Sequence, residues 1–282
     1  MKKEEMIPGR RALLRIAACL GAAVTTRVFF PGEARAPGVS AAPVAAAGPP
    51  AGGPPAGAVR NPAAYRLSPM TGDAPSGFRT PAPPVREKPF LELPQVGHTV
   101  VLTFDDGPDP RYTPDILRTL RAHDVRAMFF VCGEMASYSP DLLRQMAADG
   151  HVVGNHTWSH PQLPKLAPSA IRKEIARTSE LIEDTVGAPP VWFRAPYGAW
   201  NRHSFEIGAE LGMEPLAWTV DTLDWTTPGT DKIVKAVRDG AGPGVVVLSH
   251  DAGGNREQSV AALRRYLPEL IAEGYGIGVP HP

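Results

Sequence analysis

A chain of 282 residues is long enough for one large domain or two small ones. Its 29 Lys and Arg balance its 29 Asp and Glu, yet residues 1–89 carry 12 basic against 5 acidic side chains, and residues 90–282 carry 17 against 24. Nucleic-acid affinity comes from clustered Lys and Arg that neutralise phosphates, so the acidic larger part excludes nucleic acid as an expected partner.

The N-terminus runs from Met1-Lys-Lys through Gly9-Arg-Arg-Ala-Leu-Leu-Arg15 into the mostly apolar Ile16–Val24, and then to the small-x-small Ala34-Arg-Ala36. Basic, apolar, then small is the order of a secretory signal, and the run from Arg10 to Arg15 resembles a twin-arginine export signal. Pro37 directly behind the small residues disfavours cleavage there, so residues 1–36 are read as a signal peptide or an N-terminal anchor. The stretch between Arg15 and Arg27 falls short of the roughly 20 residues of a spanning helix. Residues 37–89 read as a Pro/Ala/Gly-rich disordered linker: 14 of the 32 prolines lie between Pro31 and Pro89, with no apolar period among them. The expected location is secreted or envelope-associated, with the basic tether suited to an anionic membrane or wall polymer. The folded part, expected over 90–282 as a monomer, holds the lone Cys132, which follows an apolar run and reads as a small buried hydrophobe.

From Phe90 onward strands and helices alternate. His98–Phe104 is an apolar, β-branched run ending in Asp-Asp-Gly-Pro, and a helix follows with Thr113 as its expected N-cap and Pro114 in its first turn. Val125–Val131 reads as a strand, Gly133–Ser139 as a loop, Pro140–Ala148 as a helix and His151–Gly154 as a strand. Ser169–Val186 carries Ile171, Ile175, Leu181 and Ile182 at helical spacing and is stopped by Gly187. Val191–Phe193 is a strand, Arg202–Leu211 a helix and Glu214–Val220 a strand. Asp231–Asp239 is a helix, Gly244–Leu248 a strand, Ser259–Glu273 the last helix and Tyr275–Val279 the last strand. This alternation implies an α/β fold with a mainly parallel sheet, and the number of units fits a distorted (β/α) barrel. The polar motifs fall where strands end, which in a barrel gathers them around one mouth.

Asp105 and Asp106 are adjacent, and on an extended backbone their side chains point apart, so they cannot flank a glycosidic bond as a glycosidase pair does. They can divide two tasks, one ligating a cation and the other handling a proton. Read alone, Asp-Asp-Gly-Pro is an ordinary turn. His156 and His160, four apart at a strand end, are within reach of one ion. Two histidines and an Asp form a three-ligand set that leaves a position open for water or substrate. His250 stands where the buried run Val245–Leu248 emerges, and Arg194, Asp221 and Asp224 likewise end apolar runs; each alone is as readily a structural polar group.

Together, Thr103-Phe-Asp-Asp-Gly-Pro108, His156-Thr-Trp-Ser-His160, Arg194-Ala-Pro-Tyr-Gly198, Asp221-Thr-Leu-Asp-Trp225 and Leu248-Ser-His250 resemble, in order, the five motifs of the polysaccharide deacetylases with the NodB homology domain, carbohydrate esterase family 4. The resemblance spans His98 to Val279 and implies a single catalytic domain that removes acetyl groups from chitin, peptidoglycan or acetylated xylan. It implies that Asp106, His156 and His160 hold a divalent ion, zinc in most such enzymes and cobalt or nickel in some. It implies that Asp105 is the general base, paired with and oriented by Arg194, and that His250 is the general acid, oriented by Asp221. Tyr197 would bind the developing oxyanion through its backbone N–H, while Trp225 and Leu248 would receive the acetyl methyl. The expected reaction is hydrolysis of N-acetyl groups on an N-acetylglucosamine polysaccharide. The same motifs serve an acetylxylan esterase equally well, and a non-catalytic carbohydrate-binding relative would have no need of base, ligands and acid together. Substrate choice is expected in the loops Gly133–Ser139, Ala199–His203 and Thr226–Thr230.

Overall fold

The computed structural model describes residues 82–280, so the expectations for 1–36 and for most of 37–89 lie outside them. In chain order the elements are β1 (Thr99–Asp105), α1 (Thr113–Ala122), β2 (Met128–Val131), α2 (Gly133–Tyr138), α3 (Pro140–Ala148), β3 (Val152–Asn155), α4 (Pro168–Val186), β4 (Trp192–Phe193), α5 (Arg202–Glu210), β5 (Glu214–Pro215), β6 (Val220–Asp221), α6 (Thr230–Gly240), β7 (Val246–His250), α7 (Glu257–Ala272) and β8 (Gly276–Ile277). Every strand pairing is parallel, in the order β5-β4-β3-β2-β1-β7-β6, with β8 beside the start of β1. The sheet curls into the expected distorted (β/α) barrel, with helices outside it. Among the described residues no helix is long and apolar enough to cross a membrane.

Three local expectations are corrected. Gly133–Ser139 is mostly the short helix α2, not a loop. Thr113 is not the cap of α1 but its first residue; its Oγ1 accepts from the Asp109 amide (2.8 Å) and donates to Asp251 (2.5 Å). The run expected as one strand over Glu214–Val220 is two short strands, β5 and β6. Between them, the carbonyls of Leu216 and Ala217 accept from the Arg194 side chain instead of from a neighbouring strand.

Those two strands are the sheet's edges and do not pair with each other. The gap is spanned by the lead-in segment before β1: Phe90 bridges to Leu216 on one side and Glu92 to Val245 on the other. Phe90 accepts from the Ala217 amide (2.7 Å), and Leu93 donates its amide to the Gly244 carbonyl (2.8 Å). The docked chain begins before Phe90, since Arg86, in the segment read as linker, forms a two-point ion pair with Glu214 (2.6 and 2.8 Å) and lies 4.2 Å over the Phe90 ring.

Strand alternation divides the core. Val100, Leu102 and Phe104 of β1 face outward into the large cluster formed with α1, α3, α6 and α7, whereas Val101, Met128, Phe130, Val246, Leu216 and Leu93 pack inside the barrel. Thr103 and Asp105 share the inward parity of Val101. Leu93 is therefore an apolar plug: 1% exposed, it packs with inward residues of β1, β2 and β7. We expect Leu93→Ala to lower stability by about 2–5 kcal/mol through lost burial and the cavity left behind, read by urea unfolding. A loss below about 1 kcal/mol would mean that the segment covers the gap without packing into it.

Candidate active site

The barrel mouth opens into a cavity of about 640 Å³. Nine of the ten residues to which the family resemblance gives site roles line it, and the tenth, Arg194, is wholly buried against Asp105. The strand register brings Asp105 level with His250 on the neighbouring strand, both with inward parity.

Arg194 follows β4, and its side chain enters the barrel interior. Its Nη1 donates to Asp105 Oδ1 (2.7 Å) and Thr103 Oγ1 (2.8 Å), its Nε to the Leu216 carbonyl (3.1 Å) and its Nη2 to the Ala217 carbonyl (2.8 Å). The guanidinium carbon lies 4.0 Å from the centre of the Phe130 ring. Burial raises the pKa of Asp105, while the opposing charge of Arg194, and then of His250, holds the rise in check.

The two adjacent carboxylates do not diverge as an extended backbone would make them. Asp106 has φ 77°, and this left-handed turn swings its carboxylate back, so that Asp105 Oδ2 and Asp106 Oδ1 lie 3.7 and 3.6 Å from the same atom, His156 Nε2. His160 Nε2 is 3.2 Å from Asp106 Oδ1. Asp106, His156 and His160 thereby offer three ligand atoms within 4.8 Å of one another. His156 Nδ1 donates to the Arg194 carbonyl (2.8 Å), which leaves the lone pair on Nε2. Burial, only partly offset by Asp106, lowers its pKa to about 3, so the ring is neutral at pH 7. Asp106 Oδ1 is buried with no hydrogen-bond partner among the described residues, an arrangement that is costly unless a cation is shared there. The donor set of one carboxylate and two imidazoles fits a divalent ion. Gly253 makes room for that carboxylate: a Cβ at its position would collide with Asp106 Oδ2.

His250 is oriented by Asp224 and not by Asp221. Its Nδ1 donates to Asp224 Oδ1 (2.7 Å) and its amide to Asp224 Oδ2 (2.9 Å), while Ser259 donates to the same oxygen (2.5 Å). Asp221 Oδ1 instead accepts from the Leu223 amide (2.8 Å), in a turn where Leu223 adopts φ 53°. That left-handed residue reverses the chain and brings the second Asp of Asp-Thr-Leu-Asp, not the first, under the imidazole. Burial opposes the charge on His250, but the hydrogen bond and charge of Asp224, with Asp105 and Asp106 adding to them, raise its pKa to about 9. Asp251, which the sequence reading passed over although it adjoins His250, accepts from the Gly107 amide (3.1 Å) and from Thr113. It ties the turn after Asp106 to α1.

Tyr197, also left-handed at φ 61°, sets its ring edge-on to His160 with centroids 4.5 Å apart. Its amide finds no acceptor among the described residues. Leu248 is buried at the cavity wall, and Trp225, 56% exposed, forms its rim.

The polysaccharide deacetylase family profile matches residues 93–216. A chitooligosaccharide deacetylase of Rhizobium leguminosarum bv. trifolii is 39% identical over 204 residues, covering 68% of this chain and 95% of the relative. The chain belongs to the polysaccharide deacetylase family. A peptidoglycan-N-acetylglucosamine deacetylase of Bacillus cereus is 40% identical over 176 residues, or 62% of this chain and 64% of that relative. A crystal structure of a peptidoglycan N-acetylglucosamine deacetylase in complex with 4-naphthalen-1-yl-N-oxidanyl-benzamide superposes with a TM-score of 0.65 at 38% identity, covering 67% of this chain and 90% of that one.

In this member of the family the contact between His250 and Asp224 has a direct readout. With Asp224 in place the imidazole keeps its proton until the pH rises through about 9. In the metal-free protein, followed by NMR, we expect Asp224→Asn to bring that titration down toward the ordinary value of 6.5, and Asp221→Asn to leave it in place. The reverse pattern would reinstate Asp221 as the orienting group.

Proposed function

We propose that this chain is a metal-dependent hydrolase that removes N-acetyl groups from N-acetylglucosamine-containing polysaccharide, peptidoglycan or chitin oligomers. The observation that carries this reading is the level pairing of a buried carboxylate, Asp105, with a cationic imidazole, His250, beside a ligand set of Asp106, His156 and His160. A base and an acid flanking one cation are what amide hydrolysis needs: a proton leaves the attacking water and a proton reaches the departing amine. The names of the relatives support an acetamido sugar as the substrate.

Asp105 takes the proton from water. Arg194 anchors its Oδ1, so Oδ2 is the oxygen turned toward the ligand set, and burial makes it a stronger base than a solvated carboxylate. When bound, a divalent ion, with zinc the expected one and cobalt or nickel able to replace it, would polarise the acetyl carbonyl and acidify water. The unpaired Tyr197 amide is available to the oxyanion, the type of interaction that often supplies the largest catalytic contribution. His250, charged through its bond to Asp224, then gives its proton to the nitrogen as the C–N bond breaks, so that acetate and a free amine leave. No side-chain nucleophile is required; Ser249 is 3% exposed on the outward parity of β7. Leu248 and Trp225 would enclose the acetyl methyl.

Export, and a basic Pro-rich tether that keeps the barrel near anionic envelope polymer, complete the proposal. Their support is the order of basic, apolar and small residues at the N-terminus and the Lys and Arg excess of residues 1–89.

The deciding experiment measures acetate release by the purified full chain from N-acetylglucosamine oligomers and from acetylxylan, before chelation, after it and after zinc is restored. We expect chelator-sensitive release from the oligomers. Release from acetylxylan alone would change the substrate to an O-acetyl ester; no release from either, with metal bound, would point to intact peptidoglycan, and no release from that too would favour the binding-protein reading. Among point variants, Asp105→Asn is expected to lose about 100-fold or more in turnover while keeping its metal, and His156→Ala to lose the metal itself, as measured by metal content after dialysis. Metal retained at the parent level by His156→Ala would overturn the ligand assignment.

A further inference from the structure

The loop that carries both histidine ligands has no regular secondary structure, and two of its residues, Thr157 (φ 68°) and His160 (φ 57°), stand in the left-handed region that β-branched and bulky side chains rarely occupy. Something outside the loop has to hold that shape, and the holding groups come from two helices. From α2, the amides of Gly133 and Glu134 donate to the carbonyls of Thr157 (2.9 Å) and Trp158 (3.0 Å). From α4, one side chain takes the other half of the same peptides. Glu174 Oε2 accepts from the amides of Trp158 (3.0 Å) and Ser159 (2.8 Å), and Oε1 accepts from Ser159 Oγ (3.0 Å). The loop's entry is tied to the same helix: Asn155 donates to the Ile175 carbonyl (2.8 Å) and to Ser179 Oγ (2.9 Å), and it accepts from the Thr157 amide (2.8 Å). One turn along α4, Arg177 lies 3.4 Å over the Trp158 ring.

We infer that Glu174 is a positioning residue for the metal centre, setting the affinity of Asp106, His156 and His160 for a divalent ion by fixing the backbone between the two histidines. It touches no ligand atom and lies 14 residues beyond His160 in sequence. Two amides and a hydroxyl converging on one carboxylate fix both the height and the rotation of the Trp158-Ser159 peptide, and with them the direction in which His160 leaves the loop. Without that clamp, His160 would have to be ordered by the ion itself, and the ordering would be subtracted from the binding energy. The inference rests on the reading of those three residues as ligands.

The test separates the reach of the side chain from its charge. Zn²⁺ affinity of the full chain, measured by competition with a chromophoric chelator, is compared among the parent, Glu174→Ala, Glu174→Asp and Glu174→Gln, and the absorption bands of the Co²⁺ forms report ligand geometry. Glu174→Ala and Glu174→Asp are expected to weaken binding by about tenfold or more, the range usual for residues that orient ligands, and to alter the Co²⁺ bands. Glu174→Gln keeps an acceptor at full reach and is expected to bind much as the parent does. Glu174 is half-buried, and urea unfolding of the metal-free forms checks that each variant folds; if Glu174→Ala does not, Glu174→Asp carries the test. Parent affinity in both Ala and Asp variants would overturn the inference, as would a Gln variant as weak as Ala beside an unimpaired Asp, because the action would then be electrostatic. A parent chain that binds no Zn²⁺ would instead bring down the ligand reading on which the inference stands.

Discussion

The buried contact between Arg194 and Asp105 is the constraint around which the rest of the barrel is arranged. A guanidinium with no exposure is tolerable only when its donors are met and its charge is balanced. Asp105 balances the charge, and Thr103, Leu216 and Ala217 receive the remaining bonds. Those last two carbonyls belong to the stretch between β5 and β6 where the sheet is interrupted, so the same side chain that holds Asp105 also satisfies the backbone at the barrel's open seam. The lead-in segment Phe90–Leu93 covers that seam with its own amides and an apolar plug. Fold closure and the positioning of Asp105 are thus two aspects of one set of hydrogen bonds.

Around this pair, charge is sorted by burial and by what each group touches. His156 is driven neutral by its surroundings, and His250, also enclosed, is driven cationic by Asp224. Two imidazoles facing one cavity are in this way given opposite states, one suited to ligation and the other to donating a proton. The buried Asp106 oxygen that no donor among the described residues satisfies completes the pattern. It is a local imbalance that a divalent ion would correct.

The strands β1 and β7 were legible because long β-branched runs end abruptly in polar residues. Helix α4 was legible because Ile171, Ile175 and Ile182 recur on one face. Helix α2 was not: Gly-Glu-Met-Ala-Ser-Tyr is too short to display a period, and it opens with a residue that disfavours helices. The positions of the site were read from the motifs, but some of their contacts turn on single backbone angles. Asp105 and Asp106 converge because of one left-handed residue, and the choice of Asp224 over Asp221 turns on another, Leu223. Side-chain identity does not disclose such angles when the residue is not glycine. Glu174 was invisible for a different reason, since its partners are backbone amides, which carry no signature in sequence.

Asp105 and His250, the proposed base and acid, occupy matching rungs of neighbouring parallel strands. Their separation is governed by interstrand spacing, roughly 4.8 Å between backbones, which loop sequence does not alter. The groups at the cavity's edge, Tyr197 and Trp225, sit on short turns that follow the strands. Drift in those turns can reshape the cavity's edge while the spacing of Asp105 and His250 stays as it was. The architecture therefore separates heredity of chemistry from heredity of taste: under the proposed function, one core could be refitted to many acetylated polymers.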